Sequence, residues 1–222
     1  MKRRAAQKAC DFIESGMVVG LGGGQTILYL IEEIKQRNLD IQVVTPSSLT
    51  KQACLKQAIP VLEVEDVSQL DIAFDGCDEI DAQLNALKSG GGIHTREKLV
   101  AKMAKQYLLL ADNQKYAPTL PFAHPICLEV LPSAKSYVMA QFERLGLKVV
   151  LRQAANKVGW QISDDGNYLM DVFIQPVADL SELNTFLNEL PGVIGHSLFY
   201  QVATQAIIAD ENQVKRIVRK VS

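Results

Sequence analysis

Lys88-Ser89-Gly90-Gly91-Gly92-Ile93-His94-Thr95-Arg96-Glu97-Lys98 is the stretch richest in usable chemistry. A lysine, three successive glycines and a glutamate fall between positions 88 and 97. An ammonium beside a reacting carbonyl stabilises a developing oxyanion. A carboxylate kept out of water has its pKa raised, so it can accept and return a proton near neutral pH. Ordering glycine costs more chain entropy than ordering any other residue, so three together point to backbone packed against something small. The plainer alternative is a solvated loop with a favourable acid in the first turn of a helix. His94 is an acid–base candidate by type, but a single histidine without a carboxylate partner is expected to be structural.

Two further segments carry chemistry. Phe74-Asp75-Gly76-Cys77-Asp78-Glu79 places three acids where a short apolar run ends. Carboxylates at the carboxyl edge of a parallel strand face the region where such sheets bind ligands; a solvated acidic turn is the alternative. Adjacent acids point apart, so a metal-ligating triad is not expected of these three. Gly20-Leu21-Gly22-Gly23-Gly24-Gln25-Thr26 lies between an expected strand and an expected helix. Glycines there let backbone approach a ligand, and the free N–H groups of a helix start favour an anion. A dinucleotide site needs G-x-G-x-x-G and an acid ending the second strand. Here Gln25 stands at the third glycine and Asp40 precedes that strand. The lysine of a nucleotide P-loop is missing too, so a small phosphorylated ligand fits better.

The surrounding pattern says what must position these groups. Met17 to Leu21, Ile41 to Val44, Val61 to Val64, Ile72 to Phe74 and Leu108 to Ala111 read as strands. Between them, residues 25–37, 47–58 and 96–106 read as helices, the first with a stripe of Ile27, Leu28, Leu30, Ile31 and Ile34. Alternating strands and helices imply a mostly parallel sheet. After His124-Pro125 the rhythm changes. Ile126 to Val130, Leu147 to Leu151, Gly159 to Ser163, Tyr168 to Ile174 and Val193 to Tyr200 read as extended, with helices at 133–145 and 179–189. Asp164-Asp165-Gly166-Asn167 signals a hairpin between Gly159–Ser163 and Tyr168–Ile174. That order is close to a split βαβ, ferredoxin-like unit. Segments 206–209 and 214–218 are expected to rejoin the first sheet. The fold class is therefore α/β, a Rossmann-like, mostly parallel sheet domain over 1–125 and 203–222. A smaller α+β domain over 126–202 is inserted in it near the C-terminus.

Composition narrows the class. The chain has 222 residues, 48% hydrophobic and 22% charged, values of an ordinary globular protein. A net charge of −2 argues against broad electrostatic binding of nucleic acid. No apolar run approaches the roughly 20 residues of a membrane span. The Met-Lys-Arg-Arg start is followed by Asp11 and Glu14, which break the apolar stretch a signal peptide needs. The four cysteines, at 10, 54, 77 and 127, form no C-x-x-C and read as reduced thiols of a cytoplasmic protein. His124 and Cys127 form a lone H-x-x-C, too few ligands for a metal.

Taken together, the motifs resemble the type A ribose-5-phosphate isomerase family. Its D-G-A-D-E pattern appears as Asp75-Gly76-Cys77-Asp78-Glu79, and its lysine–glycine loop and T-R-E-K appear within Lys88–Lys98. Its later A-D-x-x-K appears as Ala111-Asp112-Asn113-Gln114-Lys115. Order and spacing agree along nearly the full chain. The resemblance implies interconversion of D-ribose 5-phosphate and D-ribulose 5-phosphate through an enediolate, in the non-oxidative pentose phosphate pathway. It implies Glu97 as the base, Lys88 beside the enediolate oxygen, and Asp75 and Asp78 at the sugar hydroxyls and ring opening. It places Gly24, Gln25, Thr26 and Lys115 at the phosphate, with Lys2 assisting. Gly23, Gly76, Cys77, Ser89, Gly90 and Gly91 complete the substrate-binding set. No cofactor or metal is implied, and a homodimer is. Two departures stand out. The family loop G-T-G-S-T is Gly22-Gly23-Gly24-Gln25-Thr26 here, without two hydroxyls, and K-G-G-G-A is Lys88-Ser89-Gly90-Gly91-Gly92. They keep open a divergent isomerase of another sugar phosphate; a non-catalytic phosphosugar-binding module is the other alternative.

Overall fold

A computed structural model describes residues 1–156 and 158–219. Residue 157 and residues 220–222, the last of the expected domain span, lie outside the described residues. The elements in chain order begin with α1 (Lys2–Cys10), β1 (Val18–Leu21), α2 (Gln25–Gln36), β2 (Gln42–Val44), α3 (Ser48–Lys56) and β3 (Val61–Leu62). They continue with β4 (Ile72–Gly76), β5 (Glu79–Ile80), β6 (Ala86–Leu87), α4 (His94–Met103) and β7 (Tyr107–Asp112). A second group follows, with β8 (Ile126–Val130), α5 (Lys135–Arg144), β9 (Lys148–Leu151), β10 (Tyr168–Phe173), α6 (Leu180–Glu189) and β11 (Val193–His196). The chain closes with β12 (Leu198–Phe199), β13 (Gln205–Ala209) and β14 (Val214–Val218).

The main sheet has seven strands in the order β14-β13-β7-β4-β1-β2-β3, and only β14 runs antiparallel. The chain leaves β1 outward to β2 and β3, then returns to β4 on the other side of β1. That reversal is a topological switch point, and the crevice beyond the carboxyl ends of β1 and β4 is where such sheets bind ligands. Helix α2 turns Ile27, Leu30, Ile31 and Ile34 onto one face of this sheet, all buried. Fully burying each such side chain contributes about 1.5–3 kcal/mol. Ser47 starts α3 by accepting from Thr50 N at 3.2 Å, an N-cap.

The second group forms an antiparallel sheet in the order β11-β8-β10-β9. With α5 and α6 between its strand pairs, this is the ferredoxin-like arrangement. Phe142 of α5 and Phe186 of α6 meet edge to face at 5.7 Å between centroids. Asp179 caps α6, accepting from Ser181 N at 2.7 Å and Glu182 N at 3.1 Å.

Three expectations change. Gly159–Ser163 is not a strand, and makes only single bridges, Gln153 with Trp160 and Ile162 with Tyr168. Strand β8 takes one edge of β10 and β9 takes the other over Met170–Phe173, which leaves only the Tyr168 end for Ile162 to bridge. The turn of the expected hairpin is present, with Ser163 N–H donating to Asn167 O at 2.8 Å. The expected strand Val193–Tyr200 breaks at Ser197. Ser197 N–H donates to Cys127 O at 2.8 Å while its carbonyl accepts from Lys88 N at 2.9 Å, so the chain passes from β11 to β12 and a different sheet. Helix α1 has no counterpart in the sequence reading. Its buried face is Ala5, Ala6, Ala9 and Cys10, small side chains with none of the large aliphatic residues of the α2 stripe.

Candidate active site

The carboxyl ends of β1 and β4 interlock. Gly22 N–H donates to Phe74 O at 2.9 Å, and Thr50 Oγ1 of α3 donates to Gly22 O at 2.7 Å. A Cβ on Gly22 would lie 2.0 Å from the Asp75 carboxylate, so only glycine lets these strand ends meet. Asp75 is 2% exposed and accepts from Gly76 N at 2.8 Å and Gly23 N at 3.3 Å.

Lys88 follows β6 and reaches back into this corner. Its Nζ lies 3.0 Å from Asp75 Oδ2, 3.3 Å from Glu97 Oε1 and 2.6 Å from Gly76 O. Glu97 sits in the first turn of α4, whose opening bond runs from Glu97 N to Ile93 O at 3.0 Å. Lys88 and Glu97 are each 6% exposed. Burial pushes Glu97 up to about 8, the Asp75 charge adds to the rise, and Lys88 opposes it. Burial likewise raises Asp75, against the pull of Lys88. For Lys88, burial alone would lower the pKa, but the two carboxylates outweigh it and hold it above the ordinary lysine range. One ammonium between two buried carboxylates therefore keeps a proton available near neutral pH.

A cavity of about 480 Å³ opens over this cluster. Lys88, Glu97, Asp78, Gly76, Cys77 and Gly91 line it. Gly23, Gly24, Gln25, Thr26, Lys2 and Lys115 line it as well. Gly24 precedes α2 with φ 93°, left-handed backbone that favours glycine, and the helix start behind it presents free N–H groups. Lys115 Nζ donates to Cys77 O at 2.6 Å, which fixes this cation on the cavity wall. Two lysines and a helix N-terminus lining one cavity with a carboxylate–ammonium–carboxylate cluster suit a short molecule with an anionic group. A larger cavity of about 860 Å³, bounded by Asp81, Leu180, Tyr200 and Val218, brings together no comparable cluster.

Three expected site residues do not line the cavity. Asp75 lies behind Lys88 with its carboxylate engaged by the ammonium and two backbone N–H groups. Ser89 points the other way, its hydroxyl bonded to Pro125 O and 3.3 Å from Ser197 Oγ. Gly90 gives its N–H to Asp78 Oδ2 at 2.9 Å. The backbone after Lys88 turns into the junction with the small unit, so the hydroxyl of Ser89 is satisfied there. His94 is also outside the cavity; it is fully buried and burial pushes its pKa down to about 3. Ser47, Ser48 and Leu49 at the start of α3, Ile93, and Asp164 from the small unit do line it. The expected helix over 47–58 begins at this same crevice, but nothing in the local sequence links Asp164, far along the chain, to Glu97.

Among the described residues, no three His, Cys, Asp or Glu side chains converge as a metal ion would need. All four cysteines are free and buried, and burial pushes the Cys77 thiol up to about 12. His124 turns to Glu79, Nδ1 to Oε1 at 2.8 Å, rather than to Cys127.

Residues 42–213 match the model of the family described as ribose 5-phosphate isomerase A (phosphoriboisomerase A). The chain belongs to the ribose 5-phosphate isomerase A family. It is 37% identical to the ribose-5-phosphate isomerase A of Thermosynechococcus vestitus, over 95% of this chain and 91% of that one. It is 36% identical to that of Methanosarcina acetivorans, over 99% and 94%. Among solved structures, a D-ribose-5-phosphate isomerase in complex with phospho-erythronic acid superposes with a TM-score of 0.93 at 33% identity, covering 98% and 97% of the two chains. Ribose 5-phosphate isomerase A from Methanocaldococcus jannaschii superposes at 0.90 with 32% identity, again over 98% and 97%.

Proposed function

We propose that this chain interconverts D-ribose 5-phosphate and D-ribulose 5-phosphate, a step of the non-oxidative pentose phosphate pathway. The observation that carries this reading is Glu97 held 3.3 Å from Lys88 in a buried corner of a cavity that Lys2, Lys115 and the start of α2 also line. Membership of the isomerase family supports the same reaction.

In this mechanism Glu97 removes the proton from C2 of the open-chain aldose and returns it to C1. A carboxylate poised near 8 suits both directions of the transfer. Lys88 faces the oxygen that gains negative charge in the enediolate, and its own charge is secured by Asp75 from behind. Asp78, which lines the cavity, takes the sugar hydroxyls and assists ring opening. Asp75 then acts through Lys88 and the Gly23 amide. The phosphate rests on the N–H groups at Gly24, Gln25 and Thr26, between Lys2 and Lys115. Gly23, Gly76, Cys77 and Gly91 supply the walls.

The proposal extends to organisation. Among the described residues, 1–125 with 198–219 form the catalytic domain, and 126–197 form a supporting one. Phe199 and Val202 pack within the core of the larger domain, so the chain crosses back close to Ser197. The working unit is a homodimer in the cytoplasm, which light scattering on the purified protein tests for the assembly. The reaction itself is tested by supplying a panel of pentose and hexose phosphates to protein stripped with EDTA. Conversion of ribose 5-phosphate ahead of the others, unchanged by stripping, is expected. Preference for another sugar phosphate, or activity that returns only with Mg²⁺ or Mn²⁺, overturns it.

A further inference from the structure

Glu97 is the one residue of its helical turn that faces the cavity; its neighbours on α4 are fastened to the small unit. Arg96 Nε donates to Asp165 Oδ2 at 2.9 Å. A Cβ on Gly195 of β11 would lie 2.6 Å from Thr95 Oγ1, so strand and helix touch backbone to side chain there. Lys98 is the unusual member. Among the described residues its ammonium meets a carbonyl, an imidazole nitrogen and an aromatic ring rather than a carboxylate. Its Nζ instead donates to Leu198 O at 2.9 Å, lies 3.3 Å from His196 Nδ1 and sits 5.2 Å from the centre of the Phe199 ring. His196 Nε2 is 3.1 Å from Asn188 Oδ1 on α6, an acceptor that places the ring proton on Nε2 and leaves Nδ1 to accept from Lys98. The same Phe199 ring lies 5.7 Å from Lys88 Nζ. The carbonyl of Ser197, one residue before β12, accepts from Lys88 N at 2.9 Å. Lys98 thus ties the helix bearing the base to the strand that backs the electrophilic lysine.

We propose that Lys98 is a positioning residue for the proton transfer, holding α4 and β12 together through Leu198, His196 and Phe199 so that Glu97 stays aligned with Lys88 and the substrate. This rests on the isomerase reading above. A displacement of about 1 Å at a reacting group can cost on the order of 100-fold in rate. The substrate's binding contacts lie elsewhere, so turnover should suffer and affinity should not.

The test compares Lys98→Met, which keeps the stem and removes the donors, with the wild type on ribose 5-phosphate. We expect kcat to fall about 10- to 100-fold with KM within about threefold. Lys98→Arg, able to donate to both Leu198 O and His196 Nδ1, should recover most of that loss. Asn188 is exposed, and Asn188→Ala releases the tautomer of His196; a fall in kcat of about threefold is expected from this remote change. Wild-type kcat in Lys98→Met, an equal loss in Lys98→Arg, or an effect on KM alone overturns the proposal. If Lys98→Met does not fold, Asn188→Ala decides, and an unchanged kcat there overturns it. Hydrogen exchange at the amides of residues 94–98 provides a readout that needs no activity. Faster exchange in the variant supports positioning and unchanged exchange refutes it, so a wild type inactive on ribose 5-phosphate would sink only the functional reading.

Discussion

Lys88 and Lys98 bury their ammonium groups against the same aromatic ring, yet their surroundings push them in opposite directions. Lys88 meets Asp75 and Glu97 and is held above the ordinary lysine range. Lys98 meets a carbonyl, an imidazole nitrogen and a π-face, and burial pushes it down to about 7, with Lys102 adding to the fall. Desolvation is the first influence on both. What separates them is the charge of the partners, since only an opposite charge compensates the lost hydration of an ion. The pocket that does chemistry is thus built around a secured cation, and the joint behind it around neutral acceptors.

The strongest way to break this contrast is to remove the base. Glu97→Gln keeps shape and hydrogen bonding but cannot accept the proton, so kcat should fall about 100- to 10,000-fold with a far smaller change in KM. Steady-state kinetics check it; a near-normal kcat would move the proton to another group. Lys88→Met should come next, lowering kcat by about 100- to 1,000-fold through loss of oxyanion stabilisation. It also leaves two buried carboxylates without a counterion, so its thermal stability should drop more at pH 8 than at pH 5, where they can be protonated. Equal losses at both pH values, measured by calorimetry, would mean that the ammonium does not hold their charge.

A smaller effect sharpens the glycine loop of the cavity. A Cβ on Gly23 would meet nothing nearer than Ser47 at 3.7 Å, so a side chain fits there without displacing Asp75. Restoring the hydroxyls with Gly23→Thr and Gln25→Ser together should lower KM for ribose 5-phosphate about tenfold. Hydrogen bonds to a charged group contribute about 1.5–3 kcal/mol each. kcat should stay within a few-fold. A raised KM in the double variant would mean that the Gln25 amide already serves the phosphate.

The smallest effect concerns stability against pH. Glu97 is raised when folded, so its contribution is complete below the ordinary carboxylate range and is lost as pH rises through about 8. Lys98 is lowered when folded; the unfolded chain holds that proton more tightly, and stability recovers from about pH 7 toward the ordinary lysine range. Glu97→Gln should therefore melt about 2–4 °C above the wild type at pH 9 and alongside it at pH 5. A variant that melts lower at pH 9 would show that the ionised glutamate stabilises the fold.

Much of this was legible in the residues. The strand–glycine–helix pattern at 17–37 and the period of the apolar residues specify the parallel sheet, because side-chain spacing alone distinguishes a helix stripe from a buried strand. The motifs at 75–79, 88–98 and 111–115 named the reacting groups and the family, since reactive side chains and glycines are local choices. Helix α1 was not legible, because its buried face is alanine and cysteine, without the large aliphatic side chains that mark α2. The break at Ser197 was not either, because it depends on which strands already occupy the neighbouring edges.

The chain by itself determined which groups can move a proton and which backbone can receive an anion. Tertiary structure decided which of them face the cavity. It set Asp75 behind Lys88 rather than beside the sugar, turned Ser89 toward Pro125, and brought Asp164 to the cavity rim. It also brought Lys98 and Lys88 to one ring through residues about a hundred positions further along the chain. Reactivity here depends on the sign of the charge a few ångströms away, and that distance exists only once the three sheets have packed.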